Sequence, residues 1–309
     1  MSVRAGRAAT MTSEERLSKV RWTGGATYRV LSYYFSLQWN RTKIGRYLHR
    51  VLEDFSVPPD PGERRSPPTP GMPSAYRLVD FGPSTSGRYS LLYPEAPLIT
   101  SDHVSDILEH LFWHVNSEAI RRTGDFLLVH AGAVVTPSGS GILLPGDSGA
   151  GKTTLVAGLL RAGFGYLSDE AGAIDPVTGR LYPYPKALTL KKHPADLFPG
   201  LPLNGQGGLV RGVWHVRADD IRPGATVGPS DVRFIVAPRY QVGASTELIP
   251  LGRAEGVAEL ARSTLNLSTY RSRALPLLAR VVRGADCYRL VSGDVDGAVR
   301  ALAQLTSSG

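Results

Sequence analysis

The chain is predicted to be α/β, with a mixed β-sheet flanked by helices and an α+β region ahead of it. Three observations carry this. The run Gly146-Asp147-Ser148-Gly149-Ala150-Gly151-Lys152-Thr153 fits G-x-x-x-x-G-K-[ST] and lies between an apolar stretch, 141–144, and a helix-like stretch, 154–160. The helix then turns at Gly163, and the chain returns as a strand over 165–167 that runs into Ser168-Asp169-Glu170. Finally, two strong apolar stripes at helical spacing precede the glycine run. One is Ile44, Tyr47, Leu48, Val51, Leu52 and Phe55; the other is Val104, Ile107, Leu108, Leu111, Phe112 and Val115.

Taken in order, residues 1–25 are small, polar and charged and read as a disordered tail. Residues 28–38 read as one strand, and the first stripe makes a helix over 44–55. The loop 57–73 holds Pro58, Pro59, Pro61, Pro67, Pro68, Pro70 and Pro73; it cannot be helix or central strand and reads as flexible and partly polyproline. Strands over 76–81 and 88–93 flank a Gly/Ser-rich turn, and the second stripe makes a helix over 102–120. Residues 26–125 thus form the N-terminal α+β region, and 126–309 form the second domain. There, a buried strand over 232–236 ends at Pro238-Arg239-Tyr240. Helices over 254–265 and 275–283, a strand over 288–291 and a closing helix over 294–305 complete the chain, with no internal repeat.

The glycine run is built for phosphate. Gly146, Gly149 and Gly151 let the backbone curl so that successive N–H groups face an anion, and the helix starting near Lys152 aims its N-terminal dipole the same way. Asp147, Ser148, Ala150 and Thr154 complete the nucleotide-binding segment; Lys152 supplies charge for the outer phosphates, and the Thr153 hydroxyl is a Mg²⁺ ligand. Asp169, at a strand end, falls close to this loop and is the candidate base for deprotonating an alcohol. The plainer alternative is that Asp169-Glu170 caps a turn before Gly172. A cation to balance the transferred group could be Lys186, Lys191, Lys192 or Arg239, with nothing in the sequence to choose among them.

The segments His130-Ala131-Gly132-Ala133-Val134-Val135, Gly141 to Leu155, and Leu167-Ser168-Asp169-Glu170 resemble the catalytic domain of HPr kinase/phosphorylase, a fold of the HPr kinase/PEP-carboxykinase type. They are more similar still to the smaller HPr-kinase-related bacterial P-loop kinases, including those that modify lasso peptides. Tyr182-Pro183-Tyr184-Pro185-Lys186-Ala187-Leu188-Thr189-Leu190-Lys191 is similar to a stretch of those relatives. The resemblance covers roughly 126–300 and is strong from His130 to Lys191. It implies that Gly146 to Thr153 bind nucleotide phosphates and Mg²⁺, that Asp169 is the general base, and that His130 assists from the strand beside the loop. Two departures matter. The family's Asp-Asp is Asp169-Glu170 here, and the acid before its Arg-Gly signature is replaced by Leu209 in Leu209-Val210-Arg211-Gly212. Either that match is not the signature, or the second metal contact comes from elsewhere, such as Glu170. The departure weakens the case for reverse phosphorolysis.

His103, His110, His114 and Glu118 follow one another along the second helix, and an i, i+4 His pair is a metal clamp in principle. Without HExxH order, the polar face of a packed helix explains them more simply. The single cysteine, Cys287, excludes an internal disulfide and a cysteine-based zinc site, and reads as a core strand residue. No apolar run approaches the ~20 residues of a membrane span, and the first 19 residues lack the apolar core of a signal peptide, so a cytoplasmic enzyme is expected. The formal charge is +8, but the basic residues are scattered and no nucleic-acid-binding motif accompanies them, so nucleic acid is disfavoured as a partner.

The sequence therefore points to an ATP- and Mg²⁺-dependent kinase acting on a hydroxyl, most plausibly Ser or Thr of a peptide or small protein. The alternatives are a small-molecule alcohol kinase and a nucleotide-binding regulator without transferase activity. Whether the chain forms a homo-oligomer is left open.

Overall fold

The computed structural model describes residues 17–58, 75–82, 87–94, 96–191, 210 and 212–307. An aromatic hairpin starts the fold. β1 (Gly24–Val30) and β2 (Tyr33–Trp39) pair antiparallel, from Gly24 opposite Trp39 to Val30 opposite Tyr33. The sequence reads as one strand here because apolar alternation continues across the bend. The reversal falls at Leu31-Ser32, with Leu31 at φ 53°, where an Asn-Gly signal would normally mark it. β1 begins at Gly24 and a helical turn closes with Val20 N–H on Leu17 C=O, both within the span expected to be tail; residues 1–16 lie outside the described residues. So do residues 59–74, most of the proline-rich loop.

α1 (Thr42–Val51) buries Ile44, Leu48 and Val51 of its stripe. The first sheet is completed by β3 (Ala75–Asp80), β4 (Tyr89–Leu92) and β5 (Pro97–Ser101), in the order β1-β2-β3-β4-β5. α2 (Val104–Arg122) lays Ile107, Leu108, Leu111 and Val115 onto it. The core is largely aromatic: the Phe35 ring meets Tyr28 at 5.3 Å, Tyr33 at 5.5 Å and Tyr76 at 5.6 Å between centroids.

The second sheet has eight strands. They are β6 (Leu127–Val135), β7 (Gly141–Pro145), β8 (Gly165–Ser168), β9 (Ala171–Ile174), β10 (Leu181–Tyr182), β13 (Val232–Tyr240), β14 (Glu247–Pro250) and β15 (Asp286–Ser292). The order is β10-β9-β6-β7-β13-β15-β14, with β8 also on β6. β7, β13 and β15 run parallel and the other pairings are antiparallel, so the sheet is mixed, as expected. A small ribbon, β11 (Leu188–Leu190) with β12 (Trp214–Val216), stands beside it.

α3 (Lys152–Arg161) and the closing helix α8 (Val295–Ser307) pack on one face, through Val156, Leu159, Leu160 and Leu302 against Val134, Ile142, Leu144 and Val236. α5 (Arg253–Arg262) and α7 (Ala274–Arg283) cover the other face, through Leu260, Leu277 and Leu278 against Ala131, Leu143 and Ile235. The short helices α4 (Ala218–Ile221) and α6 (Leu267–Tyr270) lie in the connections. Cys287 is buried on β15. The fold class is mixed α/β. Among the described residues no helix is long and apolar enough to cross a membrane.

Charged pairs join the two sheets. Arg217, on the lead-in to α4, reaches Glu53 at 2.6 Å and Asp54 at 2.9 Å, and Arg50 reaches Asp220 at 2.9 Å. Tyr47 Oη lies 2.6 Å from His215 Nδ1. Tyr184 of the second half packs into the first core and stacks on Phe55 at 5.7 Å.

Candidate active site

Parallel strands leave their C-terminal ends free for a site, and β7 ends in the glycine run. Gly149 and Gly151 sit at φ 88° and 85°, left-handed conformations that a side chain would strain, and a Cβ at Gly149 would meet nothing within 4 Å. Gly151 is the N-cap of α3, so Lys152, Thr153 and Thr154 form the first turn, whose N–H groups have no intrahelical partner. The sequence places the helix start near Lys152, and it is there.

Lys152 turns back into the loop and is buried. Its ammonium donates to Gly146 C=O at 2.7 Å and Asp147 C=O at 2.8 Å, and meets His130 Nε2 at 3.1 Å. His130 Nδ1 lies 3.1 Å from Glu170 C=O. A carbonyl only accepts, so the imidazole proton sits on Nδ1, and Nε2 accepts from Lys152. Burial pushes the Lys152 ammonium below its ordinary pKa, while the carboxylates of Glu170, Asp147 and Asp169 pull the other way.

Asp169 is buried, and its two oxygens keep separate company. Oδ2 accepts from Thr153 Oγ1 at 3.0 Å. Oδ1 accepts from Tyr166 Oη at 3.1 Å and lies 3.4 Å from Lys186 Nζ. The Tyr166 hydroxyl, fully buried beside this carboxylate, is pushed well above its ordinary pKa and stays a donor. The turn that the plainer reading gave to Asp169 is capped by Ser168 instead: its Oγ accepts from the N–H groups of Glu170 at 3.1 Å and Ala171 at 3.0 Å.

Glu170 has its own set of partners. Its carboxylate lies 3.5 Å from Asn116 Nδ2, 3.8 Å from His130 Nδ1 and 3.9 Å from Lys186 Nζ. Of the four cations left open by the sequence, Lys186 is the one that meets both acids. Arg239 points to Glu259 at 3.5 Å, Lys191 is exposed, and Lys192 lies outside the described residues. Leu209 and Arg211 are outside them too, while Val210 is buried in the first core.

Tyr166, Tyr184 and Asn116 were not read from the sequence as site residues. Tyr184 Oη donates to Asn116 Oδ1, which joins α2 to the acids. Pro183 and Pro185 mark the segment as irregular, and Lys186 N–H closes a tight turn on Tyr184 C=O at 2.8 Å. Two members of the row along α2 have other partners. His114 Nδ1 meets Tyr76 Oη at 2.7 Å, and Glu118 takes Arg121 at 2.7 Å and Arg122 at 2.8 Å.

Among the described residues no three His, Cys, Asp or Glu side chains gather into a metal cage. Mg²⁺ does not require one; it is usually held by one or two carboxylates, a hydroxyl, water and substrate phosphate. Thr153 and Asp169, 3.0 Å apart at the start of α3, fit that donor set. A scan against protein-family models finds no match to this chain, and a search of curated proteins finds no significant one.

Proposed function

We propose that the chain is an ATP- and Mg²⁺-dependent kinase of the HPr-kinase-related type, transferring the γ-phosphoryl group to a hydroxyl, most plausibly Ser or Thr of a peptide or small protein. One observation carries the reading: a buried carboxylate, Asp169, is hydrogen-bonded to the Thr153 hydroxyl at the start of the helix that follows the glycine run.

In this reading the open N–H groups of the loop and first turn bind the nucleotide phosphates. Thr153 and Asp169 Oδ2 are the groups that would hold Mg²⁺, and the ion would supply neutralisation of phosphate charge. Lys152 releases the loop carbonyls and donates to the outer phosphates, with the His130 ring behind it. The acceptor hydroxyl gives its proton to Asp169 on the Oδ1 side as its oxygen bonds to the γ-phosphorus. The bond from that phosphorus to the β,γ-bridging oxygen breaks, and ADP leaves. Lys186 holds Asp169 and Glu170 in place.

Asp169→Asn and Lys152→Ala separate these roles. Asp169→Asn should keep affinity for metal-free ATP within a few-fold in calorimetry, weaken Mg²⁺ binding, and cut transfer by ~10² or more. Lys152→Ala should abolish tight nucleotide binding. Unchanged affinity in folded Lys152→Ala protein rejects the loop as the phosphate site.

A further inference from the structure

The kinase reading leaves one polar cluster unused. Glu259, on α5, is 4% exposed, yet three arginines from three elements meet it. Arg262 stands 2.9 Å from Oε1 and Arg289 of β15 stands 3.5 Å from the same oxygen, while Arg239, near the end of β13, stands 3.5 Å from Oε2. Three cations against one carboxylate leave two positive charges unmatched within the cluster. The guanidinium side chains are 40%, 63% and 37% exposed for Arg239, Arg262 and Arg289. Each has five donors in a fixed fork, and one carboxylate cannot use them all. A buried acid that holds exposed arginines together makes a pre-organised receptor for a second anion.

The cluster borders the loop. Glu259 C=O accepts from Ser263 N–H, Ser263 C=O accepts from His130 N–H at 2.6 Å, and His130 C=O accepts from Gly146 N–H. Tyr240, next to Arg239, lies 3.6 Å from where a Cβ on Gly151 would stand. Across the sheet the order runs from β8, which delivers Asp169, through β6 and β7 to β13. Those three steps, at about 4.8 Å each, span roughly 14 Å, the length of about four extended residues. Asp169 and Arg239, the cluster's nearest member by strand order, therefore flank the loop at a spacing that an extended peptide can bridge, with Arg289 one strand further on.

We propose that Arg239, Arg262 and Arg289 form a docking subsite for a carboxylate that the acceptor peptide carries about four residues from the phosphorylated hydroxyl. This rests on the kinase reading and adds the chemistry of the acceptor. A second, nucleotide-side anion is the competing occupant, and the strand order argues against it: β8, which delivers Asp169 to the Thr153 hydroxyl, lies on the far side of β6 and β7 from β13 and β15, which carry Arg239 and Arg289.

The test uses the full chain and two fluorescein-labelled nonapeptides, each with a central serine. One carries glutamate four residues to either side; the other carries glutamine there. Fluorescence anisotropy should show the glutamate peptide binding about tenfold tighter to the wild type, one charge-assisted contact's worth. That preference should vanish in Arg239→Gln/Arg262→Gln, whose ATP·Mg²⁺ affinity should stay within about threefold. It should survive in Arg233→Gln/Arg283→Gln, a change of equal charge on residues at the opposite end of the sheet. The single variant Arg262→Gln, at the most exposed of the three, keeps the test valid if the double variant does not fold. An unchanged preference in the cluster variants overturns the proposal, as does an equal loss in the charge-matched control. A matching loss of ATP·Mg²⁺ affinity reassigns the cluster to the nucleotide and overturns it too. Lys152→Ala keeps the two ideas separate: retained nucleotide binding there sinks the kinase reading, whatever the peptides do.

Discussion

Asp80, in the first sheet, and Asp169, in the second, are both buried, and their surroundings differ in kind. Asp80 accepts from Arg41 Nε and Arg88 Nε at 2.9 Å, from Arg88 Nη2 at 3.1 Å and from Gly82 N–H at 2.8 Å. Burial works against its charge, but Arg88, Gly82 and Arg41 together outweigh that and hold the carboxyl below the usual range. Asp169 is met by two neutral hydroxyls and, at 3.4 Å, by one lysine on a flexible stem. An arginine in a protein does not give up its proton, so its bonds fix a carboxylate as a permanent anion. Hydroxyl donors are weaker and exchangeable partners, and the Lys186 ammonium is shared with Ala187 C=O and Thr189 Oγ1, each at 3.3 Å. The same side chain is a structural fastener in one region and, on the proposed kinase reading, the base in the other.

The largest expected effect breaks this contrast directly. Asp80→Asn should lower stability by about 2–3 kcal/mol, the range for bonds to charged groups, because it strips the acceptor from two arginines. Asp169→Asn should stay within about 1 kcal/mol of wild type, since sites built for chemistry are seldom optimised for stability. Urea unfolding of both variants decides it. Equal losses would mean that Asp169 is a fastener too.

Next in size is Lys186, the residue that makes the second environment adjustable. Lys186→Met keeps the aliphatic stem and removes the charge between Asp169 and Glu170. The turnover rate should fall by about tenfold, while ATP affinity should stay within about twofold, because the change acts on the acids and not on the loop. Lys186→Arg should recover part of the loss. A shift confined to KM would place Lys186 in acceptor binding.

The two regions also differed in how much of them could be read beforehand. The glycine run was legible because its fixed positions each have a separate physical reason, and Asp169 followed from its place at a strand end. The long amphipathic helices were legible from their stripes. The strands β9 to β12 were not, because runs of two to four residues hold too few positions to show a period. The Leu31-Ser32 bend lacks turn chemistry and was read through. Arg50 is engaged by Asp220, and only the fold brings together residues so far apart in sequence. Lys186 and the arginines around Glu259 are the same case: charge at a sequence position says nothing about what it will face.

The smallest effect concerns the seam between the regions, where His215 is held against Tyr47 Oη and the Phe112 ring. Burial, and then the nearby Lys186 charge, push its pKa down to about 3, so the folded protein keeps it neutral through mild acid. In the unfolded chain it protonates near the ordinary value of about 6.5. Between those two values the unfolded state binds the extra proton, so stability falls as pH falls from about 6.5 towards 3, by at most about tenfold in the unfolding constant per pH unit. Above that window the residue contributes no pH dependence. His114, lowered chiefly by burial and bonded to Tyr76, adds a term of the same sign within the first sheet. His215→Gln should therefore flatten the acid limb of stability without abolishing it. Urea midpoints for wild type and variant at pH 7.5 and 5 measure this. If both lose the same stability between those pH values, His215 is protonated in the folded state, and the seam is held by the Arg217 and Arg50 pairs without a neutral histidine between them.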